Sequence, residues 1–176
     1  MILFTKLKFN KFLIILSLII FIVSINIRTG FSNNDASIFG IGDNFYDEIN
    51  LQVGLRGIKI PDITQELRGK PTVAVGVTTT CPFCREYVKT LSQLYPNYKG
   101  LINVMLCVVD FRNAKKYIDQ YPEFVIFPAS LTGFTRLTSV PYTVILDREG
   151  NVLAQYKGGL SGAYLKQILD YLVKNY

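Results

Sequence analysis

Cys81 and Cys84 form a Cys-Pro-Phe-Cys motif that follows an apolar, β-type run at Thr72–Val77 and precedes a helical pattern. Two thiols three positions apart can close a disulfide across one helical turn, so the motif indicates thiol–disulfide exchange. A buried structural disulfide or half of a zinc site would use the same spacing. The chain has no histidine and only one other cysteine, Cys107. Cysteine and histidine ligands therefore cannot complete a four-ligand zinc site within one chain.

The elements around this motif follow from hydrophobic periodicity. Apolar residues at helical spacing predict a helix from Pro82 to about Tyr95, and Thr72–Val77 is typical of a central strand buried on both faces. Downstream, the pattern predicts strands at Ile102–Val109 and Tyr142–Asp147, a hairpin strand at Val152–Lys157 and a last helix capped by Ser161. Residues 45–69 are expected to form a short strand or hairpin, residues 112–121 a helix, and residues 122–137 an irregular connection. The fold class is α/β, with a central mixed β-sheet flanked by helices on both faces.

The N-terminal residues carry a targeting pattern. Three lysines precede a continuous apolar segment, Phe12–Ile25, which spans about 21 Å as a helix, short of the roughly 30 Å hydrocarbon core. That length favours a cleaved signal peptide, whereas the lack of a good cleavage site favours a retained signal anchor. Residues 1–28 are therefore predicted to be one of the two, residues 29–45 a linker, and residues 46–176 an exported domain on the far side of the membrane.

Charge and size exclude several function classes. The net charge of +6 in 176 residues comes largely from four basic residues beside the apolar segment, which leaves 15 basic against 13 acidic residues elsewhere. No basic stripe interleaved with aromatic residues is present, so nucleic acid is not an expected partner. A hydrophobic content of 49% is ample for one packed core and argues against disorder.

The ordered combination of motifs resembles the thioredoxin superfamily over about residues 58–176. It comprises the Cys81–Cys84 motif after a buried strand, the Val140-Pro141 step before a strand, the Asp-Arg-Glu-Gly-Asn hairpin and the closing Gly-Gly-helix. The upstream Ile-Pro-Asp-Ile and Leu-Arg-Gly-Lys-Pro elements are similar to those of membrane-tethered redoxins of the TlpA/ResA type. The resemblance implies a thioredoxin-like fold.

The resemblance also assigns roles at the site. Cys81, at a helix N-terminus that favours its thiolate, would be the nucleophile, and Cys84 the resolving thiol. Pro141 would be cis and face the motif, with Val140 offering its backbone to an extended substrate. Pro82, Phe83 and Thr80 would complete the substrate surface.

The sequence departs from the family pattern at two places. Thr80 stands where most members have an aromatic residue, and the Thr72–Val77 strand lacks the acid that many thioredoxins use as a proton relay. Glu86 is expected to be an exposed acid on the helix, and Cys107 a buried, inert thiol.

The expected function is that of an exported thiol-disulfide oxidoreductase that acts on envelope proteins bearing thiols or disulfides, together with a membrane or extracytoplasmic redox partner. The resemblance favours reduction, for example of cysteine pairs awaiting haem attachment during cytochrome c maturation. No cofactor and no metal is expected. Two alternatives remain open: a peroxiredoxin-like peroxidase, for which Thr78 lies three residues before Cys81, and a redox-inactive binding module.

Overall fold

The computed structural model describes residues 38–55 and 63–176 of the chain. The helices in these ranges are α1 (Phe45–Leu55), α2 (Ile63–Leu67), α3 (Pro82–Leu94), α4 (Lys115–Gln120) and α5 (Gly162–Asn175). The strands are β1 (Thr72–Val77), β2 (Asn103–Val108), β3 (Val125–Pro128), β4 (Tyr142–Leu146) and β5 (Val152–Lys157). Short 3-10 turns occupy Tyr95–Asn97, Phe111–Asn113, Ala129–Leu131 and Gly133–Arg136.

The strands form one mixed sheet in the order β3-β2-β1-β4-β5. β1 runs parallel to β2, and β2 runs parallel to β3, whereas β4 is antiparallel to both of its neighbours. All six residues of β1 are buried, which explains the unbroken run of small and β-branched residues in its sequence. The predicted mixed α/β sheet is confirmed.

The two faces of the sheet bury two separate hydrophobic clusters. Val73, Val75 and Val77 belong to the cluster that includes residues of α3 and α5, whereas Ala74 belongs to the cluster that includes residues of α1. This alternation is the period of two that a β-strand imposes on its side chains. The layer of helices on each face follows from it.

The segment that holds the motif folds as its sequence predicts. α3 begins at Pro82, where a missing N–H costs nothing, and buries Cys84, Tyr87, Val88 and Leu91 along one stripe. The β4–β5 hairpin turns through Gly150, whose φ of 92° suits glycine. α5 starts after Ser161, whose side chain accepts a hydrogen bond from the N–H of Tyr164.

The expectation of a strand or hairpin at residues 45–69 is wrong for the described part of that range, where α1 and α2 form instead. Residues 56–62 lie outside the described residues. Asn44 provides the start signal: its Oδ1 accepts hydrogen bonds from the N–H groups of Tyr46 and Asp47, each 3.1 Å long. Phe45, Tyr46 and Ile49 then lie on the buried side of the helix. Asn is a typical N-cap residue, so Asn44 is the sequence signal for the start of this helix.

Residues 38–45, which the sequence places in a linker, pack onto the domain. Phe39 is only 4% exposed, and its ring meets the rings of Phe45 and Phe134 edge to face. The backbone of Asp43 also binds β5, because its carbonyl accepts a 2.9 Å hydrogen bond from the Val152 N–H. The domain therefore begins before residue 46, because these contacts join residues 39–43 to the same compact unit as the rest of the domain.

The expected irregular connection at residues 122–137 contains β3, which pairs in parallel with β2. Four residues bounded by prolines give no periodicity to detect, and an edge strand tolerates Pro128. The predicted targeting segment, residues 1–28, lies outside the described residues. Within residues 38–55 and 63–176, no helix is both long enough and apolar enough to cross a bilayer.

Candidate active site

Cys81 occupies the N-cap of α3 at the end of the loop that follows β1. Its sulfur accepts a hydrogen bond from the N–H of Cys84, with a separation of 3.2 Å. Its thiol is also placed to donate to the carbonyl oxygen of Val140, 3.9 Å away. Cys81 is partly exposed, so a substrate sulfur can reach it.

Cys84 lies one turn into α3 and is fully buried, with 0% of its surface exposed. Burial, followed by the hydrogen bond with the Cys81 side chain, raises its pKa to about 12. A backbone hydrogen bond from Thr78 acts in the opposite direction without cancelling the rise. A partly exposed Cys81 and a buried Cys84 are consistent with the predicted roles of nucleophile and resolving thiol, because only Cys81 is accessible to a substrate.

The pairing of β1 with β4 places Pro141 close to the two cysteines. Gly76, near the end of β1, pairs with Tyr142 at the start of β4, so the residues just before β4 lie beside the loop that follows β1. The Val140–Pro141 peptide bond is cis, as the resemblance implies. The structure thus brings together residues 59 positions apart in the chain.

The other expected substrate-binding residues surround this point. Thr80 and Pro82 are exposed, and Phe83 is 78% exposed, so an apolar ring stands open to solvent between the two cysteines. The three positions are therefore accessible. Their binding role remains a prediction.

Two residues that the sequence analysis did not select hold the loop in front of Cys81. Asp110 follows β2, and its carboxylate accepts hydrogen bonds from the Thr79 N–H, at 2.9 Å, and from the Thr79 hydroxyl. Burial alone would raise the pKa of Asp110, but these bonds hold it below its usual value. Parallel strands end at the same edge of the sheet, so an acid that follows β2 is expected to lie close to the loop that follows β1. The position of Asp110 after β2 is the sequence signal that could have placed it near Cys81.

Tyr117 of α4 is the second such residue. Its buried hydroxyl donates a 3.1 Å hydrogen bond to the carbonyl of Thr78. Burial, together with the nearby sulfurs of Cys84 and Cys81, raises the pKa of Tyr117, so the phenol stays neutral at ordinary pH. The loop is thus fixed from β2 and from α4.

The remaining singled-out residues lie apart from the site. Cys107 is fully buried in the cluster on the opposite face of the sheet from Cys84, and burial raises its pKa. Glu86 is exposed on α3. Both placements match the predictions. In the described ranges, no group of three or more Cys, Asp or Glu side chains is arranged to hold a metal ion.

Comparison with known proteins identifies relatives with this architecture. The chain is 25% identical over 124 residues to "Thioredoxin-like protein HCF164, chloroplastic" from Arabidopsis thaliana; the match covers 66% of this chain and 42% of that protein. A thioredoxin family thiol:disulfide interchange protein from Chlorobium tepidum superposes with a TM-score of 0.54 at 20% identity, covering 62% of this chain and 84% of that structure. The MTB dsbF structure gives a TM-score of 0.52 at 21% identity, with coverages of 61% and 84%.

The structural likenesses establish the fold, and the family follows from the sequence. The sequence model of the thioredoxin-like domain matches residues 62–173, which is more than half of the chain. The predicted resemblance is confirmed. The chain therefore belongs to the thioredoxin-like domain family.

Proposed function

We propose that the chain is an exported thiol-disulfide oxidoreductase that reduces disulfides in envelope proteins. The observation that carries this proposal is the pairing of a partly exposed Cys81 with a buried Cys84, whose N–H donates to the Cys81 sulfur. One sulfur is available to a macromolecule, and the other is available only to its neighbour. This is the arrangement that two-step exchange requires.

The reaction balances without a cofactor. The Cys81 thiolate attacks one sulfur of a substrate disulfide, which forms a mixed disulfide and releases the first substrate thiolate. Cys84 then attacks the Cys81 sulfur, which closes the Cys81–Cys84 disulfide and releases the second. The Cys84 proton passes to the departing thiolate as the new bond forms. Two electrons reach the substrate, and an extracytoplasmic dithiol partner must supply two more to restore the enzyme.

The direction of electron flow depends on how well the reduced form is stabilised. A strongly oxidising pair has a stabilised reduced form, as in DsbA. Here the contacts of the Cys81 sulfur are one N–H donor and one carbonyl acceptor, and Pro82 and Phe83 bring no charge. The proposal of a reductant rests on the resemblance to redoxins of the TlpA/ResA type, and the potential of the pair tests it.

A redox titration of the full-length protein tests the direction. We expect the Cys81/Cys84 pair to have a potential close to the thioredoxin value of about −270 mV. A potential near the DsbA value of about −120 mV would establish an oxidant instead. A pair that cannot be oxidised would favour the binding module, and consumption of peroxide by the purified protein would favour the peroxidase.

Export and substrate identity require separate experiments. The support for export is the lysine-flanked apolar segment within residues 1–28. Labelling of cysteines in intact cells with a membrane-impermeant reagent would detect an extracytoplasmic Cys81. The Cys84→Ser variant should trap mixed disulfides with its substrates in cells. Recovery of apocytochromes c would support a role in their maturation, and recovery of cytosolic proteins alone would contradict export.

A further inference from the structure

A groove of about 510 Å³ opens where β2 and β3 end. We call it the β2–β3 groove. Its apolar lining is Val109, Phe111, Pro128 and Leu131, and its polar lining includes Arg112 and Ser130. The volume lies in the range typical of ligand sites, and it is large enough for one or two side chains of another molecule.

The wall of the β2–β3 groove is hydrogen-bonded to the loop that precedes Cys81. The N–H of Val109 donates a 2.9 Å hydrogen bond to the carbonyl of Val77, the last residue of β1. The carboxylate of the next residue, Asp110, accepts hydrogen bonds from the backbone N–H and the hydroxyl of Thr79. One wall of the groove is therefore fastened to the loop that leads into Cys81. Both features lie at the carboxyl ends of parallel strands, which is where open α/β sheets bind ligands.

Both the groove and the motif carry exposed apolar side chains. Val109 is 48% exposed and Phe111 39%, and Phe83 stands further along the same edge. Clustered exposed apolar residues mark interaction surfaces, whereas single ones need no explanation. Arg112 is also exposed and forms no ion pair with the described part of the chain. Asp110 also lines the groove, but its carboxylate is bound to Thr79, so the surface offers apolar contacts beside a guanidinium that has no ion-pair partner in the described ranges.

We propose that the β2–β3 groove binds an extended segment of the protein substrate next to the cysteine that reacts with Cys81. An apolar side chain of that segment occupies the groove, and an adjacent acidic side chain pairs with Arg112. This inference rests on the proposed function, because only a macromolecular disulfide carries flanking chain. We assign the substrate as the occupant, because the groove wall is hydrogen-bonded to the loop that ends at Cys81, so a chain that presents a cysteine there can extend over the groove.

Synthetic peptides test the inference on the full-length, reduced protein. Each peptide contains one cysteine in disulfide linkage with glutathione, set in a Gly/Ser background. A Leu-Asp pair is placed one to six residues before or after that cysteine. The readout is the second-order rate constant for release of the peptide thiol. We expect at least one placement to react about tenfold faster than the plain Gly/Ser peptide, the factor that 1.4 kcal/mol of binding supplies.

Matched variants separate the groove from general effects. Phe111→Ser should abolish the gain, whereas Ile118→Ser, which changes an exposed apolar residue outside the groove, should keep it. Arg112→Glu should reverse the preference from Leu-Asp to Leu-Lys, and Lys116→Glu should not. All four variants should keep the wild-type rate with the plain Gly/Ser peptide, because that peptide carries neither the apolar nor the acidic side chain that the groove would bind.

The failures are distinguishable. A wild-type protein that does not react with glutathione disulfide contradicts the proposed function and, with it, the inference. If that reaction is normal, two results would overturn the proposed role of the groove and leave the proposed function intact. One is an equal rate for all peptide placements, and the other is a rate gain that persists in Phe111→Ser. A change of oligomeric state in Phe111→Ser, measured by light scattering, would assign the groove to a second copy of the chain and would also overturn the proposal.

Discussion

Replacing Cys81 by serine leaves the buried thiol of Cys84 without its partner. The variant tests whether Cys81 is the attacking thiol and Cys84 the resolving thiol. In the intact pair, burial and the Cys81 sulfur together raise the pKa of Cys84 to about 12 from an ordinary 9.0. The substitution removes the contribution of Cys81 but leaves burial, which is the largest cause. Cys84 should therefore remain protonated and inaccessible in the folded variant.

The size of the effect follows from the ionised fraction. At about pH 8, a thiol with a pKa of about 12 is ionised to about 0.01%, against about 10% for a pKa of 9.0. The thiolate is the reactive form, so the intact environment would slow alkylation about a thousandfold. Because part of the shift disappears with Cys81, we expect alkylation of Cys84 in the variant to be at least about a hundredfold slower than in denaturant.

Iodoacetamide labelling followed by peptide mapping measures both rates on the same sample. The folded Cys81→Ser protein is labelled with time, and a second aliquot is labelled in guanidinium chloride. Cys107 provides an internal control, because it is also fully buried and should be labelled only after unfolding. The Cys84→Ser variant is the positive control, since its partly exposed Cys81 should be labelled in the folded protein.

Folded-state labelling of Cys84 within tenfold of its rate in denaturant would refute the reasoning. In that case, Cys84 would be a competent nucleophile, and the assignment of Cys81 as the attacking thiol would lose its physical basis. If Cys107 were labelled equally fast, the variant would simply be unfolded, and a milder substitution, Cys81→Ala, would repeat the measurement.

Three further substitutions test the packing that positions the site, each by chemical denaturation. Gly76→Ala should destabilise the fold by about 1 to 3 kcal/mol, because a new Cβ would overlap the ring of Phe134; an unchanged midpoint would contradict the close approach. Leu91→Ala should cost about 3 kcal/mol by leaving a cavity beneath α3. Asp110→Ala should cost about 1 to 2 kcal/mol by removing both hydrogen bonds from Thr79. The pKa of Asp110 is lowered in the fold, so this difference should be present above its ordinary value of 3.8 and shrink as the pH falls below it; a pH-independent difference would exclude the carboxylate.

The elements that sequence predicted well are those with a strong local signal. β1 is an unbroken apolar run, α3 repeats its apolar residues at helical spacing, and the β4–β5 hairpin carries a glycine where the turn requires one. Each of these patterns follows from interactions between residues close together in the chain. α1 is harder to predict although Asn44 caps it, because short apolar stretches interrupted by Gly and Pro follow and give no clear helical period.

The parts that sequence could not predict depend on contacts between distant residues. No local sequence pattern predicts that Phe39 packs against Phe134. The same is true of the four residues Val125–Pro128, which complete the sheet. Such a short strand is stabilised by its partner and has no pattern of its own. The same holds for the β2–β3 groove, which exists only because two strand ends lie side by side.

At the proposed active site, sequence alone predicted which sulfurs react. The spacing of Cys81 and Cys84 and their place at the start of α3 require only a strand, a turn and one turn of helix. Tertiary structure decided what surrounds them: the Val140 carbonyl beside the Cys81 sulfur, and Asp110 and Tyr117 fixing the loop in front of it. The physical reason is that a thiol's identity and helical position are encoded locally. Its burial and its hydrogen-bond partners come from strands and helices that meet only when the whole sheet has formed.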